Sequence, residues 1–260
     1  MEIVIVSDYS EVSEKAASIT IDRLRENPRM TLGLATGSTP EGLYGHLVTA
    51  HQEEELDFSE VTTFNLDEYV GLDPENPQSY RYYMQKNLFD QINIPPDNTH
   101  VPNGLAPDPE EHCREYEEMI SSCSGIELQI LGLGRDGHIG FNEPGCSLRS
   151  STHVVALAPE TIEDNSRFFD SPEDVPRFAI TMGLRTISDA ESCLMLVSGE
   201  NKAEAVRQCI EGPLTSMIPA SVLQMHPDTT VILDEPAASR LERLDYYRWI
   251  QQANPLSRRT

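Results

Sequence analysis

Six short apolar runs, set apart by stretches of helical periodicity, restrict what this chain can fold into more than any other feature. The runs span 3–6, 30–35, 61–66, 126–131, 193–197 and 230–233 and are often β-branched. Runs of this length and character read as strands buried on both faces. Between them, apolar residues recur at helical spacing near 10–26, 41–51, 79–89, 109–121, 201–210 and 236–250, as with Val12, Ala16, Ile19 and Leu24 on one side of the first. Alternating strands and helices imply an α/β fold built on a mostly parallel sheet with helices on both faces. Nothing in the pattern marks a linker or a repeat, so residues 1–260 are expected to form a single domain. The tail 254–260 reads as frayed.

In such sheets ligands bind beyond the carboxyl ends of the strands, so the residues just after each run matter most. After 30–35 comes Thr36-Gly37-Ser38-Thr39-Pro40. Pro40 suits a first helical position with Thr39 as N-cap. Free N–H groups and hydroxyls there suit a phosphate, although an ordinary helix start has the same composition. After 61–66 come Asp67 and Glu68, which read either as a general base facing a pocket or as a solvated acidic loop. After 193–197 comes Ser198-Gly199-Glu200-Asn201-Lys202. A cation at a helix start opposes the helix dipole unless an anion sits beside it, so Lys202 points mildly to an anion site.

The densest chemistry comes after 126–131, in Gly132-Leu133-Gly134-Arg135-Asp136-Gly137-His138-Ile139-Gly140-Phe141-Asn142-Glu143-Pro144. The first six residues match the GxGxxG spacing, but no amphipathic helix opens after them and no acid lies at the distance that holds a ribose. A dinucleotide site is therefore set aside. One histidine and two acids fall short of what a zinc site normally assembles. What remains is an imidazole flanked by carboxylates that orient it and favour its protonated form, or a histidine held in a turn for structural reasons.

Composition narrows the partners. The chain carries 43 acidic and 19 basic residues, a formal charge of −24, which disfavours nucleic acid and anionic membranes. No run approaches a membrane span, and the N-terminus reads as a strand and not as a leader. The five cysteines are odd in number and form no CxxC pair, which points to reduced thiols and a cytoplasmic location. An anionic substrate would be repelled by the overall field, so its site needs a local set of donors; screening beyond about 8 Å eases the approach.

Assembled, the segments LATGSTP, FNLDEYVGL, LGLGRDGHIGFNEP, NSRFF, GENKA and ILDEP make the chain resemble the glucosamine-6-phosphate deaminase family over nearly its whole length. The resemblance implies a doubly wound, three-layer α/β/α sandwich. It implies that Asp67 moves the C2 proton and that His138, with Asp136 and Glu143, opens the sugar ring. It places the phosphate on Gly37, Ser38, Thr39, Arg167 and Lys202. The substrate is then glucosamine 6-phosphate, a small-molecule sugar phosphate, and the products fructose 6-phosphate and ammonia, with no cofactor and no metal required. Aromatic residues beside Arg167 mark a lid segment around 155–180. Related 6-phosphogluconolactonases share a DGH-type motif but lack FNEP and FNLDEY, and a sugar-phosphate sensor on this fold would carry a DNA-binding helix-turn-helix; neither fits this chain.

The resemblance weakens at one place. Members activated by N-acetylglucosamine 6-phosphate carry basic residues soon after the NEP motif, where this chain has His153 and Val155. Hexamer assembly is found in those members and others are monomers, so the resemblance is compatible with a homo-oligomer without implying the hexamer. The missing charge predicts weak or absent activation. A kinetic titration with the acetylated sugar phosphate should leave the substrate saturation curve unchanged, and sharp activation would contradict it.

Overall fold

The computed structural model describes residues 1–158, 162–163, 169, 171 and 175–253. In chain order these form β1 (Glu2–Val6), α1 (Tyr9–Glu26), β2 (Thr31–Leu34), α2 (Glu41–Glu54), β3 (Thr62–Asn65), β4 (Asp67–Tyr69), α3 (Tyr80–Asn87), β5 (Thr99–His100), α4 (Pro109–Ser122), β6 (Leu128–Gly132), β7 (His153–Ala156), β8 (Phe178–Thr181), α5 (Leu184–Ser188), β9 (Ser192–Val197), α6 (Ala203–Glu211), β10 (Thr229–Asp234), α7 (Glu235–Ala238) and α8 (Leu244–Ala253).

All six expected strands are present and pair in parallel within one seven-stranded sheet of order β1-β10-β9-β6-β2-β3-β5. The strands bury both faces, and their side chains divide by parity. Ile3, Ile5, Leu131, Met195, Val197, Val231 and Leu233 join a core with Tyr116, Ile120 and Val206 of α4 and α6. Val4, Leu128, Ile130, Leu194, Leu196 and Ile232 join a second core with Val12, Ala16, Leu24, Leu43 and Leu47 of α1 and α2. Two cores on opposite faces of one sheet make the three-layer α/β/α sandwich. They also explain why the strand sequences lack alternation: each position, odd or even, meets a helix layer.

Local sequence sets the helix boundaries. The Asp8 carboxylate accepts from Glu11 N–H to start α1, Arg23 and Arg25 favour its C-terminal dipole, and Asn27 turns extended before Pro28. Asp108 caps α4 ahead of Pro109. Thr39 does not cap α2 as its sequence implies. Pro40 itself is the cap residue, already near helical geometry, and no side chain serves as the cap there. The expected helix at 236–250 is split into α7 and α8.

A second, three-stranded antiparallel sheet of order β4-β8-β7 sits beyond the end of β3. The chain passes between the sheets at Leu66. Its N–H donates to Leu34 O at 3.0 Å in the large sheet, and its carbonyl accepts from Met182 N at 2.6 Å beside the small one. Asp67 therefore opens β4 instead of closing β3. The strap around 155–180 lies partly outside the described residues, as do Arg167 and the tail 254–260.

At the far edge, the Gln251 side chain accepts from Ile5 N at 3.0 Å and donates to Ile5 O at 3.1 Å, so one amide takes the place of a neighbouring strand at that residue of β1. No helix among the described residues is long and apolar enough to cross a membrane.

Candidate active site

The large sheet reverses its winding between β2 and β6. From β2 the chain moves outward to β3 and β5; from β6 it returns through β9 and β10 toward β1. Loops leaving the carboxyl ends of these two strands diverge and open a crevice, as expected at such a switch point. A cleft of about 240 Å³ lies there, lined by residues 35–39 after β2, Leu66 and Asp67, Gly132 to Arg135, His138, Gly140 and Phe141 after β6, Tyr80 of α3, and Lys202. Four separate chain segments flagged in the sequence thus meet in one place.

Asp67 is only 6% exposed, and a methyl group on Gly140 would lie 3.4 Å from its Oδ2, so it directly abuts the loop after β6. Burial, reinforced by the charge of Glu68 and opposed by that of His138, pushes its carboxyl up to about 8. Glu68 is also buried and serves a different purpose. Its Oε1 accepts from Tyr69 N and Tyr80 N and its Oε2 from Arg81 N, which anchors the first turn of α3. A solvated acidic loop is excluded for both.

His138 ends a tight turn in which Gly134 N donates to His138 O at 2.9 Å and His138 N donates to Asp136 Oδ1 at 3.2 Å. Its Nδ1 lies 2.7 Å from Asp136 Oδ1 and 3.5 Å from Glu143 Oε2. Burial works against the imidazolium, but hydrogen bonding and charge from Asp136 and then Glu143 outweigh it and lift the ring to about 9. Burial likewise opposes ionisation of Asp136, yet the His138 ring draws it well below the usual carboxylate range. The loop is tied to the small sheet through Phe141 N, which donates to Thr181 Oγ1 at 3.0 Å, and Asn142 Nδ2, which donates to Met182 O at 2.8 Å.

Asp136, His138 and Glu143 are near enough to share a metal ion, with ligand atoms within 4.8 Å of one another. Both carboxylates approach the same ring nitrogen, however. A protonated Nδ1 sits 2.7 Å and 3.5 Å from the two carboxylates as an ion pair, with no well-aligned hydrogen bond formed there, whereas a metal would have to take that proton's place. The donor set therefore suits a proton better than a cation.

Lys202 lies in a short 3₁₀ turn, Glu200–Lys202, that leads into α6. The loop before it is fixed by Asp234, whose carboxylate accepts from Ser198 Oγ at 2.5 Å, Gly199 N at 3.1 Å and Ala237 N at 2.8 Å. Of the expected residues, Gly37, Ser38, Thr39, Asp67, His138 and Lys202 line the cleft, while Asp136 and Glu143 stand behind His138. Arg167 lies outside the described residues. Sequence reading assigned no role to Tyr80, Arg135 or Phe141, which also line the cleft. Tyr80 and Phe141 stack at 6.0 Å and 9°. Their only signal was position: Tyr80 directly follows a capping serine, and Phe141 lies inside the motif.

The His138 shift has a consequence for stability. A ring at about 9 in the fold and near 6.5 in the unfolded chain contributes stability that is full below the lower value and lost as pH rises through the upper one. Asp67, also raised, acts in the same direction. The melting temperature should fall from pH 6.5 to 9, and the fall should be shallower in His138→Gln. Parallel profiles would show that His138 is not the group responsible.

Comparison with known proteins agrees with this geometry. The model of the glucosamine-6-phosphate isomerases/6-phosphogluconolactonase family matches residues 8–232. A glucosamine-6-phosphate deaminase of Thermoanaerobacter pseudethanolicus is 55% identical over 92% of this chain and 94% of its own length. One of Hahella chejuensis is 53% identical over 96% of both. A solved structure of a monomeric glucosamine-6-phosphate deaminase superposes with a TM-score of 0.90 at 48% identity, covering 92% of this chain and 99% of that one. The 6-phosphogluconolactonase of Trypanosoma cruzi, at 22% identity and a TM-score of 0.73 over 93% of this chain and 97% of its own, shares the fold. With its match running from the start of α1 into β10, the chain belongs to the glucosamine-6-phosphate isomerase/6-phosphogluconolactonase family.

Proposed function

We propose that the cleft converts glucosamine 6-phosphate and water to fructose 6-phosphate and ammonia. One observation carries this reading: a deeply buried carboxylate, Asp67, faces the same cleft as an imidazole paired with two acids, His138 with Asp136 and Glu143. The two parts suit two successive proton transfers on one sugar. The deaminases at 53–55% identity over more than nine-tenths of this chain support the same substrate.

The steps follow from the residues. The phosphate is held by the 36–39 loop and Lys202, with Arg167 a further contact. His138, protonated at neutral pH by its paired acids, gives a proton to the ring oxygen as the C1–O bond breaks. It recovers one from the C1 hydroxyl, leaving an open-chain aldehyde. Asp67 then removes the C2 proton; the C–H electrons form C1=C2 and the carbonyl oxygen takes up a proton. Once the C2 ammonium has lost a proton to water, return of the Asp67 proton to C1 lets the nitrogen lone pair shift the double bond to C2=N. Water adds at C2 and ammonia leaves. Burial disfavours the Asp67 carboxylate, but the substrate's C2 ammonium stabilises it on arrival. The substrate's own amine and carbonyl act as the electron sink, so the chemistry calls for no cofactor. The solved relative is described as monomeric, and on that ground we assign the monomer as a sufficient catalytic unit. The strap around 155–180, joined to β7 and β8, is assigned as the lid.

Ammonia release from glucosamine 6-phosphate tests the reading, with 6-phosphogluconolactone hydrolysis as the control activity. Asp67→Asn should lower kcat by about a hundred- to ten-thousandfold, the factor that general-base transfer supplies, while fructose 6-phosphate binding persists. Wild-type turnover in that variant would remove Asp67 from the mechanism.

Lys202→Ala should raise KM about tenfold or more with little change in kcat, because the phosphate contact is made in the ground and transition states alike. A loss confined to kcat would contradict a phosphate-binding role.

A further inference from the structure

Three helices each direct a phenol at the loop between β2 and α2. Tyr44 of α2 donates to Ala35 O at 2.6 Å, Tyr83 of α3 donates to Gly37 O at 2.7 Å, and Tyr9 of α1 donates to Ser38 O at 2.9 Å. None of the three lines the cleft, although residues 35–39 do. The phenols therefore grip the loop from behind.

Peptide geometry turns that grip into a statement about the cleft. In a planar trans peptide the carbonyl points opposite to the N–H of the next residue. Drawing the Ala35, Gly37 and Ser38 carbonyls toward the helices turns the N–H groups of Thr36, Ser38 and Thr39 the other way. Among the described residues, none accepts a hydrogen bond from the N–H of Ser38 or Thr39. Gly37, at φ 96°, supplies the left-handed step that lets successive N–H groups converge, and such a concavity binds anions.

The two outer phenols are held for this task. Tyr9 also accepts from Gly42 N at 2.9 Å, which joins the loop to the first turn of α2. That contact needs α1 and α2 to lie close, and they do: a Cβ on Gly42 would fall 2.2 Å from Ser13 Oγ. Tyr83 reaches Gly37 from a helix whose first turn is anchored on Glu68, the neighbour of Asp67. Burial, and then the nearby Tyr44, Glu41 and Tyr9, keep the Tyr83 hydroxyl protonated and hence a donor. Tyr44, fully buried in the core, has a packing role as well and is a poorer probe.

We propose that Tyr9 and Tyr83 are positioning residues of the phosphate loop, holding the Gly37 and Ser38 carbonyls so that the loop's N–H groups meet the substrate's phosphate already aligned. This rests on the phosphate assignment made above. Neither residue touches the reacting atoms. A loop aligned in advance loses less freedom on binding, so the pins act on affinity and not on the chemical step.

The test uses Tyr9→Phe, Tyr83→Phe and the double variant, which keep the rings and delete only the hydroxyls. Calorimetry with inorganic phosphate gives the dissociation constant, and steady-state kinetics with glucosamine 6-phosphate gives kcat and KM. Each single change should weaken phosphate binding and raise KM about fivefold, and the pair about twentyfold, the size expected for one and two neutral hydrogen bonds. The kcat value should stay within about twofold, whereas general loosening of the fold would lower kcat and the melting temperature together. Unchanged phosphate affinity in the double variant, or loss in kcat alone, overturns the proposal. A wild-type protein that binds phosphate but releases no ammonia defeats the deaminase reading, and the phosphate series still decides the role of the tyrosines. A wild-type protein that does not bind phosphate removes the loop assignment and this proposal with it.

Discussion

The site depends on a single residue that belongs to two sheets. Leu66 continues the hydrogen bonding of the large sheet through its N–H and begins that of the small sheet through its carbonyl. The next residue is Asp67. A carboxylate placed there cannot drift, because moving it would break a ladder on one side or the other. It is also largely withdrawn from water, and that burial pushes its carboxyl up. Position and reactivity thus come from the same backbone event.

The loop after β6 is built to meet that carboxylate. Its own turn fixes His138, and its hydrogen bonds to Thr181 and Met182 fasten it to the small sheet that carries Asp67. The antiparallel sheet is thus more than an appendage, since it holds Asp67 and the His138 loop in place relative to one another. The proposed phosphate loop lies on the β2 side of the crevice, where hydroxyls from α1, α2 and α3 hold the carbonyls of Ser38, Ala35 and Gly37. In a chain with a formal charge of −24, such local arrangements must provide the attraction that the overall field denies to an anion.

Much of this was legible in the residues. The parallel strands announced themselves as unbroken apolar runs because both faces are covered, and the motif around His138 carried its chemistry in its composition. Other parts left little trace. The small sheet escaped notice because β4 has three residues, β7 is only partly buried, and its pairings join residues far apart in the chain. The role of Glu68 was hidden by the abundance of acids, since sequence does not distinguish a carboxylate that anchors a helix from one facing water. Thr39 misled in the other direction: Pro40 enters helical geometry by itself, so no cap forms. The tyrosines behind the phosphate loop occupy ordinary helical positions, and only the assembled fold brings their hydroxyls to one turn.

The edges of the large sheet have a consequence of their own. One border strand, β5, is two residues long, and the other, β1, has the amide of Gln251 where a neighbour would bond. A strand from a second copy would find the β1 edge closed at Ile5 and only two residues of ladder at β5. A second copy approaching β1 edge-on would have to displace the Gln251 amide before it could pair at Ile5.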